Sequence, residues 1–358
     1  MKTTWLRPNG QGLPPVFWLG LVTLAGWTLC TTGPGVLLAL GIHDYNWWFL
    51  DSYAVLAAGD AARAGLSPDA PNPFDPLLRN NKYSDWWYAL NWLGLTRAHN
   101  FAVGLAWVGA FALAVGRTLT PRSWRETAWL AVLLLSPPVL MAVNRANNDL
   151  VIFVLLAVCG SWAVVPGWRQ WVAVGALALA TGLKFYPAPG CLALAGVRPG
   201  RRMPWLLLAA GLAVGGALGA VWAQMARGRF PLPCGLHVMG ALSLGQKWGW
   251  TNPTTTAVFF AMVLLGAGVL VGTGVTVGLA ERGGAAERLR AALGSLVLLA
   301  CFGAGNSFGY RWILALWMGL WLWRRSAETP GGGGQGGGSD WEPVCSGLAA
   351  GATACLPS

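Results

Sequence analysis

Charge is what this sequence has least of: Asp, Glu, Lys and Arg make up 10% of its 358 residues, against about 25% in a soluble globular domain. So few charges cannot cover a soluble surface, and 55% of the chain is hydrophobic, which leaves the polytopic membrane class. Acidic residues are scarcest, 13 against 24 Lys plus Arg, so a carboxylate at the edge of an apolar run asks for a reason. The seven cysteines, Cys30, Cys159, Cys191, Cys234, Cys301, Cys345 and Cys355, stand singly. That scatter gives no metal-ligand spacing, no even-numbered disulfide framework and no redox function. No Gly-rich phosphate loop sits between a strand and a helix, and no internal repeat of the inverted-repeat transporter kind is visible.

What is present is a succession of apolar runs, each to be weighed against the roughly 20 residues that span a bilayer. They read as Val16–Ile42, His99–Gly116, Arg125–Val143, Asn148–Val165, Trp171–Leu183, Tyr186–Val197, Pro204–Ala223, Pro253–Val277, Ala291–Gly305 and Trp312–Trp323. The expected fold is an all-α polytopic bundle of roughly ten transmembrane helices. Val16–Leu40 is too long for the apolar core of a signal peptide and reads as a retained first helix. The 23 Trp suit interfacial belts and the 50 Gly suit close helix packing in lipid. Two short runs between Arg169 and Arg198 flank LKFYP and read as half-helices meeting inside the membrane.

The net charge of +11 is dispersed among the connections, which argues against nucleic acid and makes the basic residues topology signals. Lys2, Arg7, Arg117, Arg122, Arg125, Arg169, Arg198, Arg201, Arg202, Arg282, Arg288, Arg290, Arg324 and Arg325 fall on one side, with both termini. Residues 43–98, the NRANND stretch, LKFYP and the NSFGYR turn fall on the other, outer side. Residues 1–325 read as the membrane domain, and 326–358, with GGGGQGGGS, as a disordered tail.

Loops as long as 43–98 tend to be functional. Within it, Ser52–Ala64 has the composition of a helix, with Asp51 as N-cap and Gly65 as its stop, lying on the bilayer surface. Asp51 is either only that cap or a general base, its pKa raised in a partly desolvated pocket ringed by Trp47, Trp48 and Tyr53. Asp44 is the second candidate. Asp60, Asp69, Asp75 and Asp85 read as solvated loop residues.

Three more clusters fall near the same face. Asn144, Arg145, Asn147, Asn148 and Asp149 supply amides and a guanidinium that can hold sugar hydroxyls or phosphate; the plainer alternative is a polar turn with Asp149 paired to Arg145. Lys184, beside Tyr186, either neutralises a lipid-linked phosphate or snorkels to the interface. Arg311, after Tyr310, offers a planar fork for two phosphate oxygens; a helix-end charge there would run against the positive-inside bias.

In this order these clusters resemble the GT-C class of integral-membrane glycosyltransferases, in particular glycosyltransferase family 87, over most of the chain up to about Arg325. LDSYAVLAAGDAARAG is similar to the family element that carries its Asp, here Asp51. ANND is similar to the family's polar turn but lacks the Gly and Gln. Leu183, Lys184, Phe185, Tyr186 and Pro187 match an LK-x-YP element, and Tyr310 and Arg311 match a YR. The resemblance implies transfer of mannose or another hexose from a polyprenyl-phosphate donor to a lipid or glycan acceptor at the outer face of a bacterial inner membrane. Asp51, with Asp44 as competitor, would deprotonate the acceptor. Lys184, Tyr186, Tyr310 and Arg311 would hold the donor phosphate, and residues 144–149 other than Ala146 would contact substrate. No cofactor is expected, although Asp44 and Asp51 together could bind a divalent cation. The rival class is a transporter with a midplane site around Lys184.

Overall fold

The computed structural model describes residues 48–81, 83–195, 203–225, 238–239, 249, 254, 257–258, 261, 284–303 and 307–327. They are helical apart from loops and one two-residue strand pair. The helices are α1 (Leu50–Arg63), α2 (Ala89–Trp92), α3 (Asn100–Thr118), α4 (Trp124–Leu134), α5 (Pro137–Asn144), α6 (Asp149–Trp162), α7 (Trp168–Leu183), α8 (Gly190–Ala195), α9 (Met203–Met225), α10 (Ala285–Gly303) and α11 (Ala315–Ala327). Strands β1 (Val238–Met239) and β2 (Ser307–Phe308) pair antiparallel, Val238 opposite Phe308. The chain divides into a unit Met1–Trp323 and a unit Arg324–Ser358; the latter is described only to Ala327, so the Gly-rich tail lies outside the described residues.

Among the described residues two helices are long and apolar enough to cross a membrane, Arg97–Thr118 and Trp205–Gln224, and the bent pair Trp124–Leu134 with Pro137–Asn144 adds a third if counted as one span. The runs 16–42 and 253–277 fall outside the described residues, save a few isolated positions of the second. Arg125–Val143, read from sequence as one span, is instead broken by 60° between α4 and α5. The reason is Pro137 and Pro138 at the start of α5. Proline lacks the N–H that would bond four residues back and forces the residue before it to extend, as Ser136 does at φ −66°, ψ 146°. The expected break at LKFYP is present: α7 ends at Leu183 and the next helical residue is Gly190.

Helix α6 is the centre of the packing. Leu150, Ile152, Phe153, Leu156 and Cys159 are fully buried. Phe153 meets Phe111 of α3 edge-on at 5.0 Å and stacks on Trp317 of α11 at 4.1 Å, geometries that aromatic quadrupoles favour. Near the far end of α6, Gly160 lets Arg290 and Leu293 of α10 approach. On α3 the large side chains Phe101, Leu105 and Leu113 are exposed.

The two ends of the bundle differ chemically. At one end lie Arg117 in the last turn of α3 and Arg288 and Arg290 in the first turns of α10, with Arg122 paired to Glu287 at 3.2 Å and Arg290 donating to Ser161 at 3.2 Å. The other end is capped by the loop between α1 and α3. Ser84 Oγ donates to the Gly182 carbonyl at 2.6 Å and Trp87 Nε1 to the Leu183 carbonyl at 3.3 Å. These satisfy carbonyls that the end of α7 would otherwise leave orphaned. The Asp85 N–H donates to Gln224 Oε1 at 3.1 Å, so α9 ends under the same loop.

Helix α1 is alanine-rich and sinks into this end. Ten of its 14 residues are buried, so it packs within protein. It stops as expected: Gly65 at φ 70° takes the left-handed position, its N–H bonds the Ala62 carbonyl and that of Leu66 the Ala61 carbonyl, the double closure of a Schellman cap. Its start differs from expectation. Phe49 is the N-cap, and Asp51 lies in the first turn with no cap bond from a side chain.

A methyl group on Gly182 would run into the Trp86 ring, whereas one on Gly175, two turns earlier in α7, meets nothing within 4 Å. Gly182→Ala should therefore destabilise by about 1–3 kcal/mol, the usual cost of overpacking. Gly175→Ala should be neutral or slightly stabilising; thermal unfolding of both variants in detergent measures the difference.

Candidate functional site

The capped end of the bundle carries two carboxylates, each buried and each held by cations from elements distant in sequence. Asp51 accepts from Arg145 Nε at 2.9 Å and Nη2 at 2.7 Å, a bidentate fork, and from Asn147 Nδ2. The backbone reinforces it, the Asp51 N–H donating to the Arg145 carbonyl at 3.0 Å. Arg79 Nη1 adds a longer contact at 3.4 Å while its Nη2 donates to the Leu50 carbonyl at 2.9 Å. Arg79 is itself fixed by Asp75, whose two oxygens accept from Nε at 3.1 and 3.0 Å.

The second carboxylate, Asp149, opens α6, where its charge suits the positive end of the helix. It accepts from Lys184 and from the Tyr186 hydroxyl, and its other oxygen lies 3.7 Å from Arg311 Nε. Lys184 closes α7, the helix end that favours a cation. The Arg311 guanidinium sits over the Tyr186 ring, 4.5 Å from its centre, within cation–π range. Tyr186 is buried, so its hydroxyl needs the partner it has.

The four residues from Arg145 to Asn148 thus tie the two clusters together. Arg145 and Asn147 face Asp51, the Asn147 side chain also accepts from the Asp149 N–H at 2.9 Å, and Asp149 faces Lys184. Asn144 ends α5. Asn148 is fully buried with neither polar side-chain atom hydrogen-bonded among the described residues.

No family model, curated protein or solved structure matches this chain. The chemistry of the site therefore rests on its geometry.

Several sequence expectations change here. Arg145 pairs with Asp51 and Asp149 with Lys184, so the turn is not closed by an Arg145–Asp149 pair. Asp51 is held by Arg79, Arg145 and Asn147; Trp48 is half exposed, and Trp47 and Asp44 lie outside the described residues. Its acidity moves opposite to expectation. Burial pushes the carboxyl up, but the charge and hydrogen bonds of Arg145, the charge of Arg79 and the Asn147 amide outweigh it and hold the group at about 2. Asp75 is not solvated but buried on Arg79, whereas Asp60 is half-buried and pairs with the more exposed Arg63 and Arg97. Tyr310 lies in the 3-10 turn Gly309–Leu314 with Arg311.

Arg79 and Asp75 were missed in the sequence. Their signal was an acid and a base four apart, which reads as a pair only on a helix; here it is an Asx turn, the Leu77 N–H bonding Asp75 Oδ1 at 2.8 Å.

The charges are layered. Side-chain exposure is 3% for Asp51, 1% for Asp75 and 0% for Asp149, against 22% for Arg79, 19% for Arg145, 12% for Lys184 and 12% for Arg311. Three carboxylates lie beneath four cations, an arrangement suited to an oxyanion arriving from outside. Among the described residues no group of three or more His, Cys, Asp or Glu could hold a metal.

The Asp51 carboxyl falls from its ordinary 3.8 when unfolded to about 2 when folded, so its contribution is complete above pH 4 and lost as pH falls toward 2. That linkage is on the order of 2 kcal/mol. Asp51→Asn should remove this pH dependence, with the stability gap to wild type widest above pH 4 and closing toward pH 2; unfolding curves from pH 6 to pH 2 measure it.

Proposed function

We propose that this chain is a GT-C-like glycosyltransferase, a bundle of roughly ten helices that moves a hexose from a polyprenyl-phosphate donor to an acceptor at the outer face of a bacterial inner membrane. What supports the reading is the layered oxyanion site: Lys184 and Arg311 converge over buried Asp149, more exposed than the carboxylate that orients them. The positive-inside bias puts the opposite, arginine-bearing end in the cytoplasm.

In this mechanism the acceptor oxygen attacks the anomeric carbon as the bond from that carbon to the donor phosphate breaks. The phosphate departs with increased negative charge, which Lys184 and Arg311 stabilise because they are already aimed there. Tyr186, beneath Arg311, holds the cation in place. The acceptor proton goes to Asp51, or to Asp44. A carboxylate held near 2 is a weak base, so Asp51 serves only when its arginines are drawn toward substrate. No divalent metal has a role in this scheme.

A transporter is the second reading, favoured by the break between α7 and α8, which places Lys184 at the site. Broken helices meeting at a polar site are the transporter pattern.

Purified protein in lipid, given radiolabelled polyprenyl-phosphate hexoses and a membrane extract as acceptor, should transfer label. Lys184→Met should reduce transfer by about 100-fold or more, the scale of losing one preorganised charge. Folded wild type that transfers from no donor, yet moves a labelled solute across the bilayer unchanged, would replace this reading with transport.

A further inference from the structure

The non-glycine residues with positive φ among the described residues are Phe49 at 55°, Leu78 at 51° and Ala146 at 40°. Each adjoins one member of the same cluster: Phe49 stands two residues before Asp51, Leu78 immediately before Arg79, and Ala146 immediately after Arg145. A left-handed backbone costs a residue with a side chain about 1–2 kcal/mol. Such conformations persist where the surroundings over-determine them, and they collect at ligand clamps and active sites. Here Phe49 and Ala146 are fully buried.

Stability does not account for this convergence. A buried ion pair barely repays its own desolvation, yet three separate backbone segments are strained to bring one carboxylate to two guanidinium groups. The partners are also layered unequally, the arginines partly open and Asp51 beneath them. An anion approaching from outside meets the guanidinium groups before it meets Asp51. The Arg145 fork grips two oxygens in parallel at 2.9 and 2.7 Å, a geometry that phosphate satisfies as well as carboxylate. The Arg79 contact to Asp51, at 3.4 Å, is the looser one. Lys184 lies within electrostatic reach of Asp51, so this cluster adjoins the Asp149 cluster.

We propose that Arg79 and Arg145 form a second oxyanion site, beside the Lys184–Arg311 pair, which takes a phosphomonoester carried by the acceptor and from which Asp51 is displaced as the phosphate enters. The identity of the ligand as the acceptor rests on the glycosyltransferase reading; the oxyanion site itself does not. Displacement has a chemical consequence. Freed from its arginines, Asp51 regains ordinary carboxylate basicity next to the bound acceptor. It then takes the acceptor hydroxyl proton as the new bond to the anomeric carbon forms and the donor phosphate leaves toward Lys184 and Arg311. Base strength is thereby tied to acceptor occupancy, which protects the donor from water when no acceptor is bound.

The test is binding, read without transfer. The full chain in phosphatidylcholine nanodiscs is titrated with glycerol 3-phosphate in the Lys184→Met background, which weakens the neighbouring site, with glycerol as the neutral control. Asp51→Asn, removing the internal competitor, should tighten binding about tenfold, the equivalent of one charge-assisted hydrogen bond. Arg145→Gln should weaken it by about the same factor. Arg79→Gln, on the loop surface, keeps the question answerable if Asp51→Asn does not fold, and should also weaken binding. Phosphatidic acid in the disc should compete with the soluble probe if the acceptor phosphate is lipid-borne; absence of competition assigns it to a soluble or glycan acceptor, and either result upholds the site. Unchanged affinity in both arginine variants, or weaker binding in Asp51→Asn, would overturn the proposal. Binding that behaves as expected in a protein that transfers no sugar would retain the oxyanion site and remove the glycosyltransferase reading.

Discussion

Everything at the capped end of the bundle is arranged around a carboxylate that water does not reach. Asp149 is fully buried at the first turn of α6, and an ionised group there is tolerable only with partners close at hand. Those partners come from the end of α7, the segment that follows it, and the 3-10 turn that leads into α11. One side chain therefore fixes three elements relative to each other. Helix dipoles assist: the anion stands at a helix N-terminus and Lys184 at a helix C-terminus.

Asp51 repeats the arrangement with different materials. Its partners reach it from α5's C-terminal turn and from an irregular loop, and the chain is strained on each approach. The Asp149 cluster is built on helix ends at little backbone cost, whereas the Asp51 cluster is built on loops under strain. Structural ion pairs have no need of the second kind. Asn148, buried between them with its amide unsatisfied among the described residues, marks a turn arranged for more than closure.

Much of the local architecture was legible. The Gly65 stop, the helix before it and the break at LKFYP follow from residues that act within a turn of themselves. Prolines 137 and 138 also act locally, yet they lay inside a run whose hydropathy reads as one span, and composition over about 20 residues is blind to a bend. An acid just before an alanine-rich stretch offers Asp51 as a helix cap, beside its reading as a base; the helix in fact begins two residues earlier than Ser52, at Leu50. Its acidity was misjudged because the nearby aromatic residues are visible in the sequence while Arg145 is not visible as a neighbour.

The sequence by itself determined the membrane class, the apolar runs, the polar breaks between them and the residues that would carry charge at one end. These depend on composition and on interactions a few residues long. Tertiary structure alone decided which charge meets which: Arg145 grips Asp51 from 94 positions away, and Lys184 grips Asp149 from 35. In a low-dielectric interior the sign and size of such effects depend on separations of a few ångströms, and no sequence spacing encodes those.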